Sequence, residues 1–303
     1  GSRGLAEDVR RYGLWMREEA FKRIGNLYPK VTISEELAEE RKDLAHYSGE
    51  ELTIVACLWA RTIRSPNLAF NHIEVPLVRS FVLSSKKGQE AWVEPVVTSE
   101  GYSFKVRTGK IPSDAISGTV SRSGGTCILS NTAMPFKYIR DEGSSGRMGE
   151  RLMAIVAEGK RGRVYLPPCK EVSEIVKNLK PKWKPETPLH GKCRVNVSNY
   201  GFDVYGDLFT KRQLIALSTF SDLVHEARSK VAEDARAVGL SDDGLGIDEG
   251  GIGATAYADA VAVYLGFASD KLSDYNSSLV AWSPTRNQLK TTFGRQALPM
   301  VWD

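Results

Sequence analysis

The side chains best able to do chemistry in this sequence are four cysteines, four histidines and a run of arginines and lysines, and their spacing excludes most of it. Cys57, Cys127, Cys169 and Cys193 contain no CxxC pair, so they supply neither a disulfide framework nor an intact zinc ribbon. Buried or indifferent thiols in a reducing cytosol are the plainer reading. His46, His72, His190 and His225 form no HExxH and no clustered ligand set. The absence of GxxxxGK(S/T) and of GxSxG removes P-loop and nucleophile-elbow chemistry. Gly244, Gly246, Gly250, Gly251 and Gly253 do not follow a strand into a GxGxxG turn, and a flexible linker fits them better than a cofactor loop. With no nucleophile, base and orienter in view, a self-contained active site is not expected, and a standalone enzyme has little support.

What remains is basic. Arg140, Arg147, Arg151, Lys160, Arg161 and Arg163 form a cluster along the chain, with Lys160 and Arg161 bounded by Gly159 and Gly162. A glycine-rich turn carrying Lys and Arg at its tip could lie against phosphates or probe a groove. By charge alone, a solvated surface interleaved with Asp141, Glu142, Glu150 and Glu158 is the plainer reading. Tyr200, Phe202 and Tyr205 could offer stacking surfaces, although core or loop packing is the stronger expectation.

These residues need elements to hold them. Leu5, Val9, Tyr12, Met16, Ala20 and Ile24 recur at helical spacing, and Gly25-Asn26 supplies a stop. Ser34 to Glu51 is charged and reads as a solvated helix or surface excursion. Then the texture becomes β-rich, with short runs at Leu52–Trp59, Val75–Leu83, Ala91–Val97, Tyr102–Val106 and Gly118–Leu129. Leu152–Glu158 and Arg163–Leu166 flank the basic turn as a hairpin; a helical stripe through Met148, Leu152, Ile155 and Val156 is the alternative. From Pro167 to Asp203, prolines at 167, 168, 181, 185 and 188 predict a connector with no long regular element. Thr210 and Gln213 form a capping box ahead of a helix through Leu214, Leu217, Phe220, Val224, Ala227 and Val231. Ser241–Gly253 reads as a mobile loop. A second helix carries Tyr257, Val261, Tyr264, Leu265, Ala268 and Leu272, and a third is expected from Ser283-Pro284 through Leu289 and Phe293.

Composition sets the frame. A chain of 303 residues with 42% hydrophobic and 26% charged residues buries a full core as one large or two smaller domains. No apolar run reaches membrane-spanning length and no signal-peptide pattern opens the chain, so the expectation is a cytoplasmic protein with no membrane partner. Gly1-Ser2 has the look of a cloning scar. The apolar run Leu298–Trp302 suggests a cut through a domain. A net charge of +4 permits nucleic-acid binding without arguing for it.

Several longer blocks resemble a single family. They are Gly4–Gly13 (GLAEDVRRYG), Arg17–Pro29 (REEAFKRIGNLYP), Pro76–Ser80 (PLVRS), Gly146–Pro168 (GRMGERLMAIVAEGKRGRVYLPP), Gly206–Thr210 (GDLFT), Ala254–Tyr264 (ATAYADAVAVY) and Thr292–Asp303 (TFGRQALPMVWD). In order and over nearly the whole chain, they are similar to the large adenine-specific DNA methylases that contain a zinc ribbon.

That resemblance implies a great deal about what is missing. Such enzymes hold S-adenosylmethionine with a DPFxGxG-type motif and grip a flipped adenine with a DPPY-type motif, and neither occurs here. The nearest text, Leu166-Pro167-Pro168-Cys169, lacks the acid and the aromatic. In the family the cofactor motif precedes the block matching Leu5–Gly13, and the catalytic motif follows the block ending at Trp302-Asp303. The chain therefore fits the stretch between them, with no catalytic or cofactor residue of its own. S-adenosylmethionine is implied only for the intact protein, and the expected partners are double-stranded DNA and the rest of the parent chain.

The family's ribbon cysteines fall here on Ser65, on Phe70 with one residue of slack, on Cys127 and on Ser130. One cysteine survives, so no bound zinc is expected, His72 would raise the ligands to two at most, and apolar packing by Phe70 and Ile128 should replace the metal. Divergence and deliberate cysteine replacement both explain the loss. The expected architecture is α+β: an N-terminal helical segment over 3–51, a β-rich degenerate ribbon-like domain over 52–168, a connector over 169–205 and a helical part of the methyltransferase domain over 206–303. The expected role is to position or recognise DNA; the alternative is a protein-interaction or scaffold module.

Overall fold

The computed structural model describes residues 2–292 and 301–302. Helices and antiparallel strands share the chain, so the class is α+β. The chain divides into two compact units: Gly1–Leu27, Lys180–Lys184 and Lys211–Asp274 make the first, and Tyr28–Leu179, Pro185–Thr210 and Tyr275–Asp303 the second. These boundaries cut across the expected segments, because the stripe on the N-terminal helix finds its apolar complement 200 residues later along the chain.

The first unit gathers three helices, Ser2–Ile24, Lys211–Ala237 and Ala254–Ser273. Met16 and Ala20 meet Leu223, Ala227 and Val231 from the second helix and Ala258, Val261 and Leu265 from the third. Burying a side chain the size of Leu223 or Val261 stabilises the unit by roughly 1.5–3 kcal/mol each. Leu5, Val9 and Tyr12 flank this core, as their spacing predicts. A Cβ at Gly13 would make only an ordinary contact with Leu265, at 3.7 Å. Polar ties run along the rim: Tyr12 donates to Asp234 at 2.8 Å, Tyr257 donates to Asp8 at 2.6 Å, and Arg23 grips both oxygens of Glu226.

Ser241–Gly253 departs from the mobile loop expected of its glycines. Its backbone is tied down by its own acids. Asp242 accepts the N–H groups of Gly244 and Thr255, the Thr255 hydroxyl and Arg236. Asp243 accepts those of Leu245 and Ile252, and Glu249 that of Gly246. Short acidic side chains that bond the backbone a few residues on replace the order a side-chain core would give.

The second unit is built on two 11-residue strands. Ile54–Arg64 pairs antiparallel with Gly149–Gly159, Thr62 opposite Gly149 and Ile54 opposite Ala157, with bulges near Ala154 and Ala157. Gly149–Gly159 continues into Gly162–Leu166 as a hairpin, which settles the choice against a helix. On its other edge Ile54–Arg64 pairs with Glu74–Leu77 and with Val301–Trp302. A separate three-stranded sheet, Val82–Ser84, Ala91–Thr98 and Gly101–Thr108, covers one face, where Leu58, Ala60, Met153 and Val156 pack on Phe81, Val93 and Phe104. The opposite face carries Cys57, Trp59, Leu152 and Ile155 beneath Leu44, Tyr47, Val172 and Val176. With both faces covered, the strand is buried without a break from Leu152 to Ala157.

That second cover corrects two expectations. The charged stretch Ser34–Glu51 is a roof rather than a solvated excursion. Ser34 caps the helix Glu35–Glu40 by accepting the Leu37 N–H, and Ala38, Leu44 and Tyr47 point inward. Arg41, buried to 6% exposure, clamps the roof to the sheets by donating to the carbonyls of Val106 and Tyr165 and to Asp43. The proline-rich connector likewise holds two short helices, Lys170–Asn178 between Pro168 and Pro181 and Gly191–Val197 after Pro188.

Three local expectations also change. Of the run Gly118–Leu129 only Gly125–Thr126 is strand, and the helix Phe136–Ser144 follows it. The helix expected from Ser283-Pro284 is a short hairpin, Trp282–Ser283 with Gln288–Leu289. Asn287, at φ 53°, makes its turn and Trp282 Nε1 donates to the Leu83 carbonyl. Phe293 lies outside the described residues.

Candidate nucleic-acid interface

The long strand Gly149–Gly159 decides what becomes of the basic cluster. At roughly 3.3 Å per residue it carries Arg151 and Lys160 about 30 Å apart. The six cations fall into two groups, and one cluster in sequence is two places in space.

At the strand's start the side chains are already engaged. Arg147 donates through Nε and Nη2 to one oxygen of Glu142, a carboxylate only 8% exposed, at 3.0 and 2.7 Å. Arg151 lies over the Tyr102 ring at 4.1 Å and donates to the Tyr102 carbonyl at 2.8 Å. Arg140 sits on the outer face of the helix Phe136–Ser144, with its guanidinium 5.9 Å from the Phe136 ring. Among the described residues, only Arg140 of these three is held by nothing stronger than a ring.

The hairpin end differs. Gly159 pairs with Gly162 and leaves Lys160 and Arg161 as a two-residue tip. Gly159 is required there, because a Cβ would fall 2.5 Å from the Tyr47 hydroxyl and 2.6 Å from Val164. That hydroxyl accepts the Lys160 N–H at 2.8 Å and fixes the tip to the roof. The Lys160 ammonium reaches Glu50 at 2.5 Å. Arg161 is exposed and has no ion pair or hydrogen bond among the described residues. Arg163 stands opposite Glu158 in the ladder. The tip therefore presents three cations with two carboxylates beside them.

Glu50 is the partner that sequence reasoning missed, and nothing local could have found it, since it lies 110 residues from Lys160. Tyr200, Phe202 and Tyr205 pack against Leu189, Val197, Leu208 and Leu279, so the expectation of loop packing holds for them. Phe202 also lies under Arg61, a buried guanidinium that donates to the carbonyl and hydroxyl of Ser278. Burial pushes that guanidinium down to about 9, against an opposing pull from Glu150.

Ser65 and Cys127, far apart in sequence, converge. Both are buried, and Ser65 Oγ lies 3.3 Å from Cys127 Sγ. Burial pushes the Cys127 thiol up, but the hydroxyls of Ser130 and Ser65 and the N–H groups of Leu129 and Ser130 outweigh it and hold it below the usual thiol value. Ile128 packs between two core clusters, while Phe70 is only half-buried and His72 is exposed.

The zinc of the resembled family does not fit these donors. A structural zinc takes four nitrogen or sulfur ligands, and the place offers one thiol and two hydroxyls. Among the described residues no group of three or more His, Cys, Asp or Glu could hold a metal. In the glycine-rich loop Ser241–Gly253 the N–H groups of Gly244, Leu245, Gly246 and Ile252 are already bonded to Asp242, Asp243 and Glu249. No described helix is long and apolar enough to cross a membrane. No family model, curated protein or solved structure matches the chain.

Proposed function

We propose that this chain is an internal segment of an S-adenosylmethionine-dependent DNA adenine-N6 methyltransferase, and that its second unit helps to position duplex DNA. The observation that carries the parentage is the meeting of Ser65 and Cys127, with Ser130 beside them. Those are three of the four positions on which the ribbon cysteines of the resembled family fall. Their convergence is what a degenerate ribbon would leave.

The DNA role rests on the hairpin tip, a rigid two-strand projection with Lys160, Arg161 and Arg163 at its end. Such a tip touches phosphates without reading bases, so its contribution is position rather than sequence. The segment supplies no methyl-transfer chemistry, since the cofactor and catalytic motifs belong to the parent chain outside it. Fluorescence anisotropy with a labelled duplex, titrated across salt, tests the role. Binding that weakens linearly on a log–log plot supports it, because phosphate contacts release counterions. Absence of binding at low salt refutes it.

A second reading, a protein-interaction module, draws on the first unit. Phe21, Val263, Tyr264 and Phe267 are all at least half exposed there. That is more aromatic surface than a free helical bundle needs, and it also suits helices that buttress a catalytic sheet.

A further inference from the structure

Three tight turns meet at one end of the second unit. Residues 85–90 join the strands Val82–Ser84 and Ala91–Thr98, Lys160 and Arg161 tip the long hairpin, and residues 284–287 close the short one. Gln89 stands where they meet. Its Nε2 lies 3.3 Å from the place that a Cβ on Gly162 would take, and its Oε1 accepts from Asn287 Nδ2 at 3.5 Å. Ser85 adds a third tie by donating its N–H to the Pro284 carbonyl at 3.0 Å. The turns are braced from within as well. Gln89 donates its N–H to the Lys86 carbonyl at 2.9 Å, Gly88 to the Glu90 carboxylate at 2.8 Å and Asn287 to the Ser283 carbonyl at 2.8 Å.

Every one of these turns is basic. The first carries Lys86 and Lys87, the second Lys160 and Arg161 with Arg163 beside them, and the third Arg286. All six are exposed, and among the described residues only Lys160 of the six has an ion pair. Three carboxylates stand near them. Glu50 is engaged by Lys160, Glu90 by the Gly88 N–H, and Glu158 faces Arg163 across the ladder. The opposite end of the three-stranded sheet turns through Ser99-Glu100, which brings an acid and no cation.

We propose that the three turns form one surface for the phosphates of double-stranded DNA, on which Lys86, Lys87 and Arg286 bind beside the hairpin tip. That role rests on the duplex reading of the tip and widens the contact from one turn to three. Like charges drawn from three distant segments repel one another in the free chain, and a polyanion relieves that repulsion. None of the three turns carries an aromatic side chain, and stacking on such rings is how single strands are held. Nor does a large apolar side chain sit among the cations to enter a lipid surface. What the turns offer is charge on a braced backbone, which suits a rigid duplex.

The test uses the full chain and a labelled duplex, with anisotropy read across salt. The tip alone accounts for a slope of about −2.7 in log K against log salt, and six cations for about −5.4, at roughly −0.9 for each phosphate. The unaltered protein should exceed the tip's share, and Lys86→Ala with Lys87→Ala and Arg286→Ala should take about 2.7 off the slope. All three positions are exposed, and an unchanged circular dichroism spectrum checks that the variant is folded. With duplex bound, Lys86 and Lys87 should be shielded from acetylation, while Lys137 on the helix Phe136–Ser144 stays reactive. A slope near −2.7 that the triple variant leaves unchanged would overturn the three-turn surface and leave the tip standing. Lys86 and Lys87 that stay as reactive with duplex as without it would overturn it too. Absence of binding at low salt would overturn both the surface and the tip. Tighter binding to phosphatidylserine vesicles than to the duplex would make the turns a lipid contact and overturn the proposal.

Discussion

Removing the tip charges should change the salt dependence of DNA binding by an amount that the structure sets. Of the six basic residues, Arg147 is committed to Glu142 and Arg151 to Tyr102, and Arg140 lies with them at the far end of the strand. Three cations remain at the tip. Neutralising three phosphates puts about −2.7 into the slope of log K against log salt, since each contributes roughly −0.9. Between 50 and 200 mM salt that share is about a 40-fold loss of affinity. Lys160→Ala with Arg161→Ala leaves one of the three, a share of about −0.9 and a loss of about 3.5-fold over the same range.

Glu50 sharpens the test. In the free protein Lys160 is paired with it, so binding phosphate means giving up that contact. Both side chains are partly exposed, and such pairs are worth up to about 1 kcal/mol. Glu50→Gln should therefore tighten duplex binding by about two- to fivefold at low salt. Anisotropy with one labelled duplex reads all of these. A slope unchanged in the double variant, or Glu50→Gln without a gain, would refute the tip as the contact. Arg147→Ala lowering the slope as much as the tip variant would place the interface at the wrong end of the strand for this reasoning.

Three further outcomes follow from single contacts. Arg147→Ala strands the buried Glu142 carboxylate, whose second oxygen already lacks a partner among the described residues, and should lower the urea midpoint; an unchanged midpoint would contradict it. Gly118→Ala should destabilise by about 2 kcal/mol or more, because φ is +58° and a Cβ would lie 2.3 Å from the Val78 carbonyl; an unchanged urea midpoint would contradict it. Hydrogen bonds from Thr255 and Arg236 hold the Asp242 carboxyl down at about 2, against about 3.9 for a free aspartate. A depressed carboxyl stabilises the folded loop fully above the free value and loses that effect as pH falls through the folded one. The Gly244 and Thr255 amide resonances should hence stay put down to about pH 3 and move only near pH 2, and movement near pH 4 would show the loop to be loose.

How much of this could be read in advance depended on whether a pattern had one solvent side. The three long helices were legible because each keeps a polar face, so Met16, Val231 and Val261 stand out at helical spacing. Leu152–Ala157 was ambiguous for the opposite reason. It is buried on both faces, alternation vanishes, and only the glycines around Lys160 favoured a hairpin. The helix Lys170–Asn178 was hidden by the prolines on either side, although Val172 and Val176, four apart, are the residues it buries. For Ser241–Gly253 the signal was present in Asp242 and Asp243, whose side chains cap backbone N–H groups, but the glycines outweighed it.

The candidate site shows the same limit at longer range. A sequence displays charge along the chain, whereas an interface needs charge in space, and an 11-residue strand is long enough to separate the two. Arg147 and Arg151 read as phosphate contacts and are exposed, but each is already engaged, Arg147 by Glu142 five residues before it and Arg151 by Tyr102, which only the packing of the sheets brings near. Lys160 reads as a free tip and is tethered through Tyr47 and Glu50. Ser65 and Cys127 reverse the case: neither carries a signal of its own, and only the positions on which a family's cysteines fall brought them together before the structure did. The structure itself shows only that two residues 62 apart in sequence meet in the core.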